Sequence, residues 1–156
     1  MIGISSCLGG VCCRYDGQAK EIQTLKQLVL EDKARVICPE VLGGLPIPRE
    51  PAEIVGGDGF SVWEGQACVR TIHGKEVTEL FKQGAIAAYQ KLVEADISSV
   101  IVKENSPSCG CNSIYNGTFS GVKMTGVGVA TAYFLLQGIQ VVSEKDWTSF
   151  LANEME

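Results

Sequence analysis

The sequence has a single histidine, His73, and no Cys-x-x-Cys pair. Both shortages count against structural zinc, which ordinarily takes four ligands and draws them from such pairs and from histidines. Nor is there an apolar run of about 18 or more residues, the minimum for a membrane-spanning helix, so no membrane partner is expected. The opening MIGISSCLGG lacks the basic stretch followed by an apolar stretch that marks a secretory leader. Positive charge is short as well: 13 Lys and Arg stand against 18 Asp and Glu, a net charge of -5. Duplex nucleic acid is held through clustered basic residues, so it is not an expected partner. A local basic patch around Arg14, Lys103 or Lys123 is compatible with the sequence. The expected compartment is the cytoplasm, where glutathione and thioredoxin keep thiols reduced.

Cysteine, by contrast, is abundant: seven in 156 residues. An odd count in a reducing compartment does not suit a disulfide framework, which leaves metal binding or thiol chemistry for at least some of them. With 46% apolar and 20% charged residues, the chain reads as one globular domain over residues 1–156 with a real core.

Hydrophobic periodicity divides the chain into strands and helices. MIGISS reads as a strand that runs into a Gly-rich loop holding Cys7, Cys12 and Cys13. Ile22, Leu25, Leu28 and Val29 mark one face of a helix. ARVIC is a β-branched strand stopped by Pro39. Residues 40–58 hold Pro46, Pro48 and Pro51 with Gly43, Gly44, Gly56 and Gly57, and read as an ordered functional loop. Residues 60–72 alternate around Glu64-Gly65 and read as a hairpin. A helix is expected over 76–94, a strand in ISSVIVKEN, and a second long loop in SPSCGCNSIYNGTFSG. GVGVATAYFLLQG reads as a helix apolar nearly all round and therefore buried. GIQVV is a last strand, with a capping-box start to a final helix at Ser143–Asp146. Strands alternating with helices predict an α/β fold: a three-layer, Rossmann-like parallel sheet flanked by helices, with long loops at its carboxyl edge. Such sheets bind ligands at that edge.

Cys7 follows the first strand, Cys38 ends the second and Cys109 lies just past the third. A parallel sheet puts all three at one edge. Three converging thiolates suit zinc with an open position, or an iron–sulfur cluster one ligand short of the usual four. Cysteines also serve simply as small buried apolar residues, the natural reading for Cys68 and a fair one for Cys12 and Cys111. Cys13 or Cys111 can complete a four-thiolate set, which suits a small electron carrier or redox sensor. A metal-free thiol module is the other alternative.

SSCLGGVCCRYDG, CPEVLGGLPIPREPAEI, SPSCG and the Met124–Val129 turn, in this order, resemble the thiouracil desulfidase family over Ile2 to about Ser143. The chain looks like the family's minimal form. The resemblance implies a [4Fe–4S] cluster held by Cys7, Cys38 and Cys109, with one iron open to substrate. It puts an acid/base carboxylate on Glu40 and an assisting hydroxyl on Ser106. The implied reaction is hydrolytic, non-redox removal of sulfur from a thiolated uracil, or thiouridine, as a small-molecule substrate. Near these residues, Arg14 can hold an anionic or carbonyl group and Tyr15 can stack on a base. Arg49, on a stiff loop, can bind substrate or pair with Glu40 or Glu53. Asn105 can meet a base edge.

Overall fold

The computed structural model describes residues 1–5, 23–46, 49–144 and 146. Four strands form the central sheet: β1 (Ile2–Ser5), β2 (Ala34–Ile37), β5 (Ser99–Val102) and β8 (Gln140–Ser143). They run parallel in the order β2-β1-β5-β8. Every residue of β1 and β5, the two inner strands, is buried. Continuous burial is why their sequences read as unbroken apolar runs.

Register sorts the core into two layers. Ile4 pairs with Val36 on one side and Ile101 on the other, so these side chains share a face. On that face Ile2, Ile4 and Ile101 pack with Leu25 and Leu28 of α1 (Gln23–Leu30). Val100 and Val102 point the other way. They meet Ala85, Ala88 and Leu92 of α4 (Thr78–Glu94) and Ala130 and Phe134 of α5 (Val129–Leu136). The expected α/β sheet between helical layers is what the chain forms.

Two close backbone approaches fix the short helix α2 (Pro39–Leu42), which starts directly after Cys38 with proline in its first turn. A Cβ on Gly84 of α4 would lie 1.8 Å from the Pro39 carbonyl oxygen, and one on Gly43 would lie 2.0 Å from that of Leu80. Only glycine lets the two helices touch backbone to backbone, and this seats Glu40 of α2 firmly on the body of the fold.

Four sequence expectations are corrected. Residues 60–72 are no hairpin: Gly59–Trp63 form helix α3, and β4 (Cys68–Thr71) pairs antiparallel with β3 (Ala52–Val55). Asp58 decides this by capping α3, accepting the Ser61 N–H at 3.3 Å. Gly65, at φ 79°, closes the turn behind it. The stretch 40–58 therefore holds the rest of α2 and a strand. The second long loop contains another hairpin, β6 (Ser113–Tyr115) with β7 (Lys123–Thr125). Helix α5 is buried along five of its residues, but Leu135 and Leu136 are 41% and 61% exposed where it leaves the core. The final helix expected after Ser143 falls on residues 147–156, outside the described residues.

Candidate active site

A cavity of about 690 Å³ opens at the carboxyl edge of the sheet, where β1, β2 and β5 end. Cys38, Glu40, Arg49, Asn105, Ser106 and Cys109 all line it. Six of the nine candidate residues thus come together in one place. The other three, Cys7, Arg14 and Tyr15, lie outside the described residues, as do Cys12 and Cys13. β1 runs between β2 and β5, and its last residue, Ser5, stands on the cavity wall two positions ahead of Cys7. Among the described residues no group of three metal-ligating side chains closes on itself.

Cys109 sits in a turn held from both sides. On one side the Ser106 hydroxyl accepts the backbone N–H groups of Ser108 and Cys109 at 3.0 and 3.1 Å. On the other, the start of α5 donates N–H groups to the turn's carbonyls: Gly128 to Gly110, Val129 to Pro107 and Ala130 to Ser108, at 2.7 to 2.9 Å. Thr131 Oγ1 donates to the Cys109 carbonyl at 2.8 Å. A Cβ on Gly128 would lie 2.4 Å from Ser108 backbone. The Gly-x-Gly at 126–128 serves this contact, and the donors of the helix N-terminus are engaged by carbonyls of the chain itself.

Glu40 lies across the cavity wall from that turn. Its Oε2 accepts the Arg49 Nε–H at 2.8 Å and a second bond from Arg49 Nη2, a two-pronged ion pair. Arg49 also donates to the Pro46 carbonyl at 3.1 Å. The Ser106 hydroxyl donates to Glu40 Oε1 at 3.2 Å. Ser106 therefore accepts twice from the Cys109 turn and donates once to the carboxylate, tying the segments that carry the two cysteines. Asn105, at φ 69°, uses its side-chain oxygen to accept from the Ser113 hydroxyl at 2.7 Å.

Burial pushes the Cys109 thiol far above its ordinary value, and the charges of Cys38 and Glu40 push the same way; the hydroxyls of Ser5 and Ser108 pull it back. This end of the cavity favours a positive group to offset gathered negative charge. Cys111 is pushed up to about 12, first by burial and then by the Glu104 carboxylate beside it.

Glu104 was not singled out from the sequence. It is 2% exposed and accepts the backbone N–H groups of Cys111, Asn112 and Ser113 at 2.9 to 3.1 Å, plus the Asn112 side-chain amide at 3.0 Å. Burial would raise its pKa, but the donors together outweigh that and hold it below the usual carboxylate range. Lys103 pairs with Glu144 at 3.2 Å just behind it. Only the position of Glu104, between a strand end and a cysteine loop, hinted at a structural carboxylate.

Comparisons with known proteins identify the family. A family model described as 2-thiouracil desulfurase matches residues 2–146. The uncharacterized protein YbbK of Bacillus subtilis (strain 168) is 50% identical over 151 residues, 97% of this chain and 100% of that protein. A solved structure described as the [4Fe–4S]-dependent thiouracil desulfidase TudS is 42% identical, with a TM-score of 0.86 over 99% of this chain and 98% of that one. With a family model spanning most of its length and relatives matched nearly end to end, the chain belongs to the 2-thiouracil desulfurase family.

Proposed function

We propose that this protein is a [4Fe–4S]-dependent desulfidase that converts a thiolated uracil, or its nucleoside, to the oxygen form. The observation that carries the reading is the Ser106–Glu40 hydrogen bond, which places a carboxylate between the segments bearing Cys38 and Cys109. An electron carrier has no use for a tethered carboxylate at its cluster.

The residues present fit such a cluster. Cys38 and Cys109 line one cavity and interact electrostatically. The Ser108 hydroxyl, 1% exposed, is the one buried side-chain polar atom among the described residues without a hydrogen bond, and it stands where it favours the Cys109 thiolate. A bound metal deprotonates a coordinating thiol and gives that hydroxyl an acceptor. Cys7, Cys38 and Cys109 would hold the cluster, leaving one iron open.

A [4Fe–4S] cluster with an open iron supplies a soft Lewis acid suited to a thiocarbonyl sulfur. Glu40 handles the proton. Its Oε2 is paired with Arg49, and its Oε1 has a second lone pair beyond the one that accepts from Ser106. That lone pair accepts a proton from water as the oxygen adds to the C=S carbon, and the same group returns it to sulfur; the C–S bond then breaks as the C=O bond forms, sulfur leaving as hydrosulfide and the proton of the added hydroxyl passing to solvent. Oxygen replaces sulfur with no net electron transfer. Ser106 acts by holding Glu40, and Asn105 offers polar groups to a base edge. The apolar walls from Leu45, Val77 and Phe81 limit competing water. Among the described residues no helix is long and apolar enough to cross a membrane. A thiolate-held cluster suits the reducing cytoplasm, and the acidic charge favours free bases or nucleosides over duplex nucleic acid.

The test is to purify the protein without oxygen, reconstitute it with iron and sulfide, and follow loss of 2-thiouracil absorbance. Uracil and sulfide are expected from the wild type and neither from Cys38→Ala. A stable brown cluster that turns over no thiolated base overturns the reading in favour of an electron carrier.

A further inference from the structure

The same cavity is also lined by Tyr115, Phe119 and Gly121 of the β6–β7 hairpin and by Glu53 of β3. At its tip three residues take the left-handed backbone region: Gly117 (φ 88°), Phe119 (φ 56°) and Gly121 (φ 79°). Glycine enters that region freely, whereas a bulky side chain enters it only under strain. The sequence supplies glycine at the first and third positions and phenylalanine at the second.

The strained residue is held in place. Glu53, 9% exposed, turns one carboxylate oxygen to the N–H groups of Gly117 at 2.9 Å and Phe119 at 3.2 Å. A Cβ on Gly117 would lie 2.5 Å from the Ile54 carbonyl oxygen, so the tip rests directly on β3 backbone. The ring of Phe119 has neither an aromatic nor a cationic partner among the described residues, while neighbouring Tyr115 has the Lys123 ammonium 5.8 Å from its centroid. Backbone strain kept where glycine is the easier choice marks a functional side chain.

We propose that Phe119 is the stacking wall for the planar pyrimidine ring of the substrate, and that Glu53 is the positioning residue that holds it there. This rests on the desulfidase reading above and adds to it how the ring is gripped, from the side of the hairpin. Stacking on an aromatic face tolerates free base and nucleoside alike, because both present the same ring.

The experiment compares reconstituted wild type with Phe119→Gly, Phe119→Ala and Phe119→Tyr. It measures KM and kcat for 2-thiouracil, the Kd of uracil by calorimetry, and Tm. Losing a stacked ring should raise KM and uracil Kd by roughly five- to 150-fold in the Gly and Ala variants. Their kcat should stay within about threefold, and Phe119→Tyr should behave as wild type. Both truncations lose the same ring, so the difference between them reads the backbone alone: Phe119→Gly should melt about 2–4 °C above Phe119→Ala. Unchanged KM and uracil Kd in the truncated variants, with wild type active, overturns the stacking role and leaves the desulfidase reading standing. Equal melting temperatures for the Gly and Ala variants remove the strain on which the proposal is built. A wild type that neither turns over 2-thiouracil nor binds uracil overturns both.

Discussion

Among the carboxylates that line the cavity, Glu104 and Glu40 are held in different ways. Glu104 is filled by backbone: three main-chain N–H groups and one amide converge on it, and its job is to fold residues 111–113 back on the strand end. Among the described residues Glu40 is held by two side chains, Arg49 and Ser106, and it lines the cavity. A carboxylate saturated by fixed donors is a piece of architecture. One balanced by a movable guanidinium and a hydroxyl retains the capacity to exchange a proton.

Substitutions can break that contrast. Glu40→Gln keeps the shape and removes the proton acceptor. Its kcat for 2-thiouracil is expected to fall by about 10²- to 10⁴-fold, with iron content and Tm near wild type. Equal losses of iron and activity would instead make Glu40 structural. Glu104→Ala leaves several buried donors without an acceptor and should cost about 3 kcal/mol in urea unfolding. Iron loading should fall with it, since the same loop carries Cys109. Because Glu104 has its folded-state pKa below the ordinary 4.5, its stabilisation is full above that value and is lost as pH falls through the lower folded-state one. The urea midpoint of the wild type should therefore drop in acid, and Glu104→Ala should show a shallower drop. The smallest effect belongs to Ser106→Ala. It frees Glu40 Oε1 and uncaps the Cys109 turn, so about tenfold in kcat and about 1 kcal/mol of stability are expected. A loss as large as that of Glu40→Gln would make the hydroxyl a direct participant in the chemistry.

The sheet was legible because its inner strands are buried on both faces and spelled in β-branched residues, as in SVIV. Parallel topology followed from the alternation with helices, and from it the meeting of Cys38 with Cys109 at one edge. The short elements were not legible. Helix α3 depends on one capping aspartate, whose effect outweighed an alternating pattern of apolar residues. Strands β6 and β7 have three residues each, and β7 is exposed throughout, so neither burial nor period left a signal. Glu40 and Ser106 were named through their motifs; they stand 66 positions apart, and the bond between them needed the chain between to be placed first. Glu104 and Phe119 were missed for a common reason. What singles them out is backbone geometry, converging N–H groups in one case and a left-handed φ in the other, and neither is written in residue type.

The parallel order of the sheet also governs when the centre can be assembled. Cys38 and Cys109 stand 71 positions apart in the chain (109 less 38). They become neighbours only after α4 has crossed the sheet and laid β5 beside β1. A nascent chain on the ribosome therefore cannot bring Cys38 and Cys109 together until more than two thirds of the protein has been made. Contacts this distant form late in folding. Under the proposed ligand set, maturation is thereby coupled to quality control: a copy that holds the cluster on both thiols has already brought β5 beside β1.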